Sequence, residues 1–154
     1  MAKEIERKFL VKSCNFATLA QGVPIKQGYI SSSPTHSVRV RSYGDRGFIT
    51  IKGPTRGATR DEFEYEIPLA DAQEILVRLC EHPAIEKTRY RIAVGKHIFE
   101  VDRFAGANQG LVVAEVELDS EDEVVQLPDW IGSEVTGDAR YYNSNLSRRP
   151  FSTW

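Results

Sequence analysis

Cysteine is scarce in this sequence, which has only Cys14 and Cys80 among its 154 residues. Two cysteines so far apart provide neither a disulfide framework nor the paired spacing of a zinc site. Long apolar runs are also missing, since no stretch approaches the roughly 20 residues that cross a bilayer. The chain begins with Lys3, Glu4 and Glu6 where a signal peptide would have an apolar core. These absences predict a soluble cytoplasmic protein.

The sequence also lacks an excess of charge of either sign, because 20 basic residues stand against 22 acidic ones. A formal net charge of -2 gives no general attraction to nucleic acid or to an anionic membrane. Hydrophobic residues make up 41% of the chain and charged residues 27%, which is typical of a folded globular protein. No repeat, low-complexity tract or long linker divides the chain. We therefore expect a single domain over residues 1–154, without a nucleic-acid or membrane partner.

Short segments with alternating polar and apolar residues dominate the chain, and turn-forming residues separate them. These segments are KEIERKFLV, PIKQGYIS, SVRVRSY, FITIKG, RDEFEYEIP, KTRYRIAV, HIFEVDRF and LVVAEVELD. They predict about eight strands. Most of the connections are short enough for hairpins, which favours antiparallel pairing.

Helical periodicity is confined to fewer segments. In ADAQEILVRLC, apolar residues recur every three or four positions from Ala72 to Cys80, which predicts an amphipathic helix. Shorter helices are predicted around residues 16–19, in PDWIGSEV and in DARYYNSNLS.

Each predicted strand has one charged face and one apolar face. The charged faces contain Glu4, Glu6 and Lys8; Arg39 and Arg41; Thr50 and Lys52; Arg60, Glu62, Glu64 and Glu66; Lys87, Arg89 and Arg91; Glu100 and Asp102; Glu115 and Glu117. Arg7 and Thr88 depart from this alternation. A sheet with one face in water alternates too, but it uses Thr, Ser and Gln freely. Like charges on neighbouring strands repel each other, so a flat sheet gains little from this arrangement.

A closed barrel explains the pattern better, because its lumen can collect charges of both signs around one cavity. We therefore predict an α+β fold, mainly β: an eight-stranded antiparallel closed barrel with a charged lumen. Flanking helices, such as one over residues 71–82, would cover the apolar outer face.

The charges predicted in the lumen favour phosphate chemistry. Arginine and lysine around one cavity suit a compact anion with several phosphate groups. Carboxylates there would repel that anion unless a hard divalent cation lay between them, and oxygen ligands favour Mg²⁺ or Mn²⁺. The glutamate pairs of EIE (residues 4–6) and EVE (residues 115–117) would face one metal site if the first and last strands meet. Such a site suits phosphoryl transfer, whereas no Ser-His-Asp, Cys-His or Walker-type arrangement is present.

The EIERKF segment resembles the Glu-x-Glu-x-Lys signature of the CYTH domain, or triphosphate tunnel metalloenzyme, family. VRVR, TIKG, EKTRY, EVDRFAG, AEVEL and DARYYNSNLS follow in the family's order and approximate spacing. The resemblance covers nearly the whole chain and is greatest to the small bacterial inorganic triphosphatases. It implies an eight-stranded tunnel in which inorganic triphosphate is hydrolysed to pyrophosphate and phosphate with Mg²⁺ or Mn²⁺.

The resemblance also implies roles for individual residues. The metal ligands would be Glu4, Glu6, Asp102, Glu115 and Glu117. The substrate-binding residues would be Lys8, Arg39, Arg41, Lys52, Lys87, Arg89 and, as a cap on the tunnel, Arg140. Glu62 and Glu64 would hold a second metal or orient the cations. Tyr29 and Lys87 would form a catalytic pair that transfers a proton, and the family suggests a homodimer.

Other functions remain open at this point. The same tunnel would also suit a thiamine triphosphatase, a nucleoside triphosphatase or a class IV adenylate cyclase. The cyclases carry a His-Phe pair upstream of the signature, and only three residues precede Glu4 here. A non-catalytic polyphosphate-binding module is a further alternative, although a pure anion binder needs no metal carboxylates.

Overall fold

The computed structural model describes residues 3–154. Its nine strands are β1 (Lys3–Val11), β2 (Val23–Ser32), β3 (Ser37–Tyr43), β4 (Arg46–Lys52), β5 (Thr59–Ile67), β6 (Ile85–Val94), β7 (His97–Phe104), β8 (Val112–Glu117) and β9 (Ile131–Glu134). Two α-helices, α1 (Leu69–Arg78) and α2 (Asn143–Arg148), accompany 3-10 helices at Cys14–Thr18, Gly106–Asn108, Ala139–Tyr141 and Phe151–Thr153. Within residues 3–154, every helix is too short or too polar to span a bilayer.

Eight strands close into an antiparallel barrel, which confirms the predicted fold class. Around the barrel the order is β5, β4, β3, β2, β6, β7, β8 and β1, and a β1–β5 pairing closes the circle. In β1, Glu4 lies opposite Arg60 of β5, and Lys8 lies opposite Glu115 of β8. The first and last strands of the barrel therefore meet, and the EIE and EVE segments lie side by side.

A ninth strand corrects one prediction. PDWIGSEV was expected to form a helix, but its residues Ile131–Glu134 form β9, which pairs with β1. The reason lies in the edge of β1, which pairs with β5 only over Lys3–Ile5. The following backbone groups of β1 need partners, and β9 provides them, with Phe9 opposite Glu134. The periodicity of a short apolar stretch does not show that a neighbouring strand needs a hydrogen-bonding partner.

Helix α1 lies outside the barrel against β3 and β4, as the amphipathic pattern predicted. Gly47 of β4 makes the close approach possible, because a Cβ there would lie 2.9 Å from the Cβ of Ala72. The helix ends at Arg78, slightly before the predicted end. The helix expected around residues 16–19 is the 3-10 helix Cys14–Thr18.

The main apolar core lies on the outer face of the barrel. Phe9, Phe99 and Val116 point outward and are almost completely buried. Phe16 and Trp130, from segments outside the barrel, cover them, and the Phe99 and Trp130 rings meet edge-on at 5.7 Å. Each of these large side chains contributes about 1.5–3 kcal/mol through burial. This core stabilises the wall that presents charges to the lumen.

One end of the lumen is apolar. Ile85 lies on the same strand face as Lys87, and Val113 on the same face as Glu115. The cluster that these two residues join comprises Ile85, Phe104, Leu111, Val113, Tyr141 and Leu146. Tyr141 and Leu146 come from the C-terminal helical segment, in which Arg140 was expected to cap the tunnel. This segment therefore packs over the end of the tunnel, and the charged cavity stops there.

Candidate active site

Side chains from all eight barrel strands surround a cavity of about 240 Å³. The cavity is lined by thirteen of the residues predicted for the site, namely Glu4, Glu6, Lys8, Tyr29, Arg39, Arg41, Lys52, Glu62, Glu64, Lys87, Arg89, Glu115 and Glu117. Arg60 and Glu100, which share the predicted charged faces, line it too. Asp102 and Arg140 are the predicted site residues that do not line it.

Arg39 and Arg41 of β3 form a strongly cationic part of the wall. Glu64 Oε2 lies 3.5 Å from Arg39 Nη2 and 3.4 Å from Arg41 Nη2, and it accepts the Thr50 hydroxyl at 2.7 Å. Burial, together with Arg39 and Arg89, lowers the pKa of Arg41 to about 10. Within residues 3–154, the buried Nε atoms of Arg39 and Arg41 have no hydrogen-bond partner. One carboxylate therefore orients two guanidinium groups that line the cavity.

Asp102 lies beneath the cavity and holds two of its cations. It accepts from Arg89 Nε at 2.8 Å, from Arg89 Nη2 at 2.9 Å and from Lys87 Nζ at 2.8 Å. Burial raises the pKa of the Asp102 carboxyl, but Arg89 and Lys87 outweigh it and leave the pKa below its usual value. Burial also lowers the pKa of Lys87 to about 8, although Asp102 opposes this shift. Both oxygens of Asp102 are thus engaged in positioning Lys87 and Arg89.

Lys52 and Lys8 are further cations of the cavity wall. Lys52 Nζ lies 3.1 Å from Glu4 and 3.4 Å from Glu62. Burial, followed by the charge of Glu4, raises the pKa of Glu62 to about 7. Lys8 Nζ donates to the carbonyl of Tyr141 at 3.3 Å, so the C-terminal segment holds this lysine in place.

Glu6, Glu115 and Glu117 crowd together next to Glu4. Burial, followed by the charges of Glu115 and Glu4, raises the pKa of Glu6 well above its usual value. Burial acts in the same direction on Glu115, but Lys8 and a hydrogen bond from Glu6 hold its pKa well below the usual range. Burial and the charge of Glu4 raise the pKa of Glu117. Among residues 3–154, Glu6 and Glu117 form no ion pair within 4.0 Å.

The donor chemistry of these carboxylates fits a divalent cation. In the described part of the chain, no three acidic, His or Cys side chains are already arranged as a set of metal ligands. Instead, burial and the charges of Glu115 and Glu4 raise the pKa of Glu6. A divalent cation among these carboxylates would offset their mutual repulsion, and oxygen-only ligands suit Mg²⁺ or Mn²⁺.

Arg140 lies apart from the cavity. It belongs to the 3-10 helix Ala139–Tyr141, and its side chain is 65% exposed. Its guanidinium pairs with Asp138 at 2.8 Å and stacks against the Trp154 ring at 5.5 Å. In this arrangement Arg140 does not reach into the tunnel as a cap.

Sequence reasoning missed two parts of the cavity wall. The missed residues are Thr55, Gly57 and Ala58 from the β4–β5 loop, and Thr136, Gly137, Tyr142, Asn143 and Ser144 from the C-terminal segment. Neither segment has strand or helix periodicity that would assign its side chains to the lumen. The DARYYNSNLS motif was the available signal, but within it only Arg140 was assigned a role.

Comparisons with known proteins agree with this architecture. The CYTH domain family model matches residues 2–149. An inorganic triphosphatase from Acetivibrio thermocellus is 51% identical, over 100% of this chain and 99% of the relative. One from Nitrosomonas europaea is 41% identical, over 94% of this chain and 96% of the relative. A crystal structure of an inorganic triphosphatase superposes with a TM-score of 0.67 at 35% identity, covering 93% of this chain and 96% of that one.

Proposed function

The chain belongs to the CYTH domain family, and from this premise we propose that it hydrolyses inorganic triphosphate to pyrophosphate and phosphate inside its barrel. The observation that carries the proposal is the joint presence of seven cationic side chains and four crowded carboxylates around one cavity. The cations suit the phosphate groups, and the carboxylates suit a divalent cation. The full-length similarity to inorganic triphosphatases supports the same reaction.

The size of the cavity favours a small substrate. Its volume of about 240 Å³ is below the range of roughly 300–1,000 Å³ that holds drug-sized ligands. The lining is dominated by charged and hydroxyl side chains, and the apolar cluster lies at the closed end. The described wall therefore provides for phosphate groups rather than for a nucleobase or a thiamine ring.

Glu4, Glu6, Glu115 and Glu117 are the residues that would hold Mg²⁺ or Mn²⁺. When bound, such an ion neutralises charge on the phosphate oxygens and assists the attack of water on phosphorus. Asp102 was also expected among the ligands. Its contacts with Arg89 and Lys87 instead support a positioning role for this carboxylate.

The cations bind and orient the substrate. Arg39, Arg41 and Arg89 can each offer two nitrogen donors to phosphate oxygens, and lysines add compact charges. Glu64 in the cavity wall and Asp102 beneath it pair with these guanidinium groups, so the groups are oriented before the substrate arrives. Little reorganisation is then needed when negative charge develops on the leaving pyrophosphate.

Tyr29 and Lys87 are proposed to move the proton. Tyr29 is buried within the wall, and its side chain lines the cavity. Burial lowers the pKa of Lys87 to about 8, so part of the amine population is neutral and able to accept a proton at mildly alkaline pH. Asp102 and Asn143 fix the position of the Lys87 amine.

A substrate panel tests the proposed function. The purified chain is incubated with tripolyphosphate, pyrophosphate, ATP or thiamine triphosphate, with Mg²⁺, Mn²⁺ or excess EDTA. We expect phosphate release from tripolyphosphate that requires the metal, and much slower release from the other compounds. Glu6→Gln should abolish this activity, whereas Glu81→Gln, a change at an exposed position outside the cavity, should not. Cyclic AMP from ATP, or tight binding of tripolyphosphate without turnover, would contradict the proposal.

A further inference from the structure

Asn143, the first residue of α2, is held by two hydrogen-bond donors at a single atom. Gln27 Nε2 donates to Asn143 Oδ1 at 3.0 Å, and Lys87 Nζ donates to the same oxygen at 2.9 Å. The ammonium of Lys87, which is paired with Asp102 at 2.8 Å, is a donor only. The shared atom must therefore be the oxygen of Asn143, which fixes the orientation of its amide.

The two anchors are themselves rigid. Gln27 is completely buried in the barrel wall, and the Lys87 side chain is 1% exposed. Gln27 Oε1 is buried without a partner among residues 3–154. The hydrogen bond of the Gln27 amide is instead the one that Nε2 donates to Asn143. The side chain of Asn143 thus has little freedom to rotate.

Because Oδ1 accepts both hydrogen bonds, the Nδ2 group of Asn143 points away from Gln27 and Lys87. This nitrogen has no acceptor among residues 3–154, and it is not one of the buried atoms that lack a partner. Asn143 also lines the cavity. Two N–H donors of a neutral amide are therefore available to a ligand in the tunnel.

We propose that Asn143 is a substrate-binding residue that donates Nδ2–H to a phosphate oxygen of the triphosphate. This inference rests on the proposed function, since it names a further contact in the same site. A neutral donor adds direction without adding charge to a wall that is already strongly cationic. Its contact is retained at alkaline pH, because an amide does not lose its proton there.

Two substitutions test this role, because wild-type affinity in either would exclude it, and the NH₂ resonances of the wild-type chain separate it from the positioning of Lys87. Asn143→Asp retains an oxygen that accepts from Gln27 and Lys87, but it replaces the Nδ2 donor with an oxygen. Asn143→Ala removes both functions. A hydrogen bond to a charged group accounts for a factor of about 10 to 100 in affinity. We expect the dissociation constant for tripolyphosphate in EDTA, and the KM with Mg²⁺, to rise by at least about tenfold in both variants.

Asn145→Asp is the matched control, because it makes the same change in the same helix. The Asn145 amide donates to the carbonyl of Ala139 at 2.7 Å and does not line the cavity. This variant should lose some thermal stability but keep the affinity for tripolyphosphate. It also controls for the general effect of one added negative charge.

The outcomes are distinct. Wild-type affinity in Asn143→Asp would overturn the inference and leave positioning of Lys87 as the role of Asn143. Wild-type affinity in Asn143→Ala would overturn it as well. If the wild-type chain neither binds nor hydrolyses tripolyphosphate, the proposed function fails, and this inference fails with it.

A measurement on the wild-type chain covers the case in which a variant does not fold. The side-chain NH₂ resonances of Asn143, assigned by their absence from Asn143→Asp or by backbone connectivity, are followed as tripolyphosphate is added in EDTA. We expect a downfield shift that saturates with the binding isotherm. Unchanged NH₂ resonances at saturation would overturn the inference.

Discussion

Replacing Asp102 with Asn removes a negative charge from between two buried cations. The side chains of Asp102, Arg89 and Lys87 are only 2%, 8% and 1% exposed. Three contacts of 2.8 to 2.9 Å join them. Asparagine has nearly the same shape, but it keeps one acceptor oxygen and turns an amide donor toward a cation. The substitution therefore leaves buried positive charge without its main partner.

The structure sets the size of this effect. Breaking a buried ion pair by removing one partner costs about 3–5 kcal/mol. Lys87 can limit the cost by losing its proton, since its pKa is already about 8 and Asp102 is the main group that raises it. Arg89 cannot do so, and its other contacts, Glu100 at 3.3 Å and Glu115 at 4.0 Å, are longer. We expect a loss of about 3 kcal/mol, or roughly 6–12 °C in Tm for a chain of this size.

Urea and thermal unfolding followed by circular dichroism measure the effect at pH 7. Asp61→Asn is the control, because Asp61 pairs with Lys3 at 3.3 Å on the surface, where the side chains are 52% and 61% exposed. An exposed pair of this kind contributes about 0–1 kcal/mol. If Asp102→Asn unfolds at the same urea concentration as Asp61→Asn, the reasoning about the buried network is refuted.

Three further predictions concern other parts of the fold. Glu134→Gln should lower stability at pH 7 by about 0.5–1 kcal/mol, because its two hydrogen bonds from Arg7 keep the pKa of Glu134 below its usual value. The difference from wild type should shrink as the pH falls through the lowered pKa of Glu134 in the folded state, because the protonated carboxyl no longer attracts Arg7. Glu121→Ala should raise KM roughly 2- to 10-fold, because Glu121 accepts the Ala58 amide at 3.0 Å and holds the loop that lines the cavity. Tyr29→Phe should sharply reduce kcat in steady-state assays with little change in triphosphate affinity, since only its hydroxyl is lost.

Each of these predictions has its own control and its own contrary result. Glu66→Gln removes a pair with Arg46 that is more exposed and therefore more strongly screened, so it should lose less stability than Glu134→Gln; an equal loss in both variants would contradict the first prediction. Glu121→Gln keeps an acceptor for the Ala58 amide, so its KM should stay near the wild-type value. A KM raised as much as in Glu121→Ala would contradict the second prediction. Unchanged kcat in Tyr29→Phe would remove this hydroxyl from the mechanism.

Alternation along the strands predicted most of the lumen, although Glu66, Arg91 and Asp102, which share the charged faces, do not line the cavity. Side chains two residues apart share a strand face, so the placement of Glu4 with Glu6, or Arg39 with Arg41, followed from their spacing. The predicted metal site depended on contact between the first and last strands, β1 and β8, which the sequence could not establish. The structure meets it through the pairing of Lys8 with Glu115.

The C-terminal part of the site could not be predicted in this way. Asn143 faces the cavity because Gln27 and Lys87, which are distant in sequence, hold its oxygen. Arg140, three residues earlier, turns instead to its neighbour Asp138. No periodicity distinguishes these two polar residues, and their placement depends on how α2 packs against β2 and β6. The same holds for β9, whose place depends on the open edge of β1.

A crystal structure with tripolyphosphate and Mn²⁺, grown at a pH where turnover is slow, tests the central claim most directly. Our account predicts anomalous peaks for manganese against Glu4, Glu6, Glu115 and Glu117. It also predicts phosphate groups between those peaks and the arginine side chains of β3 and β6. Manganese or triphosphate bound only outside the barrel would contradict the claim that the lumen holds both.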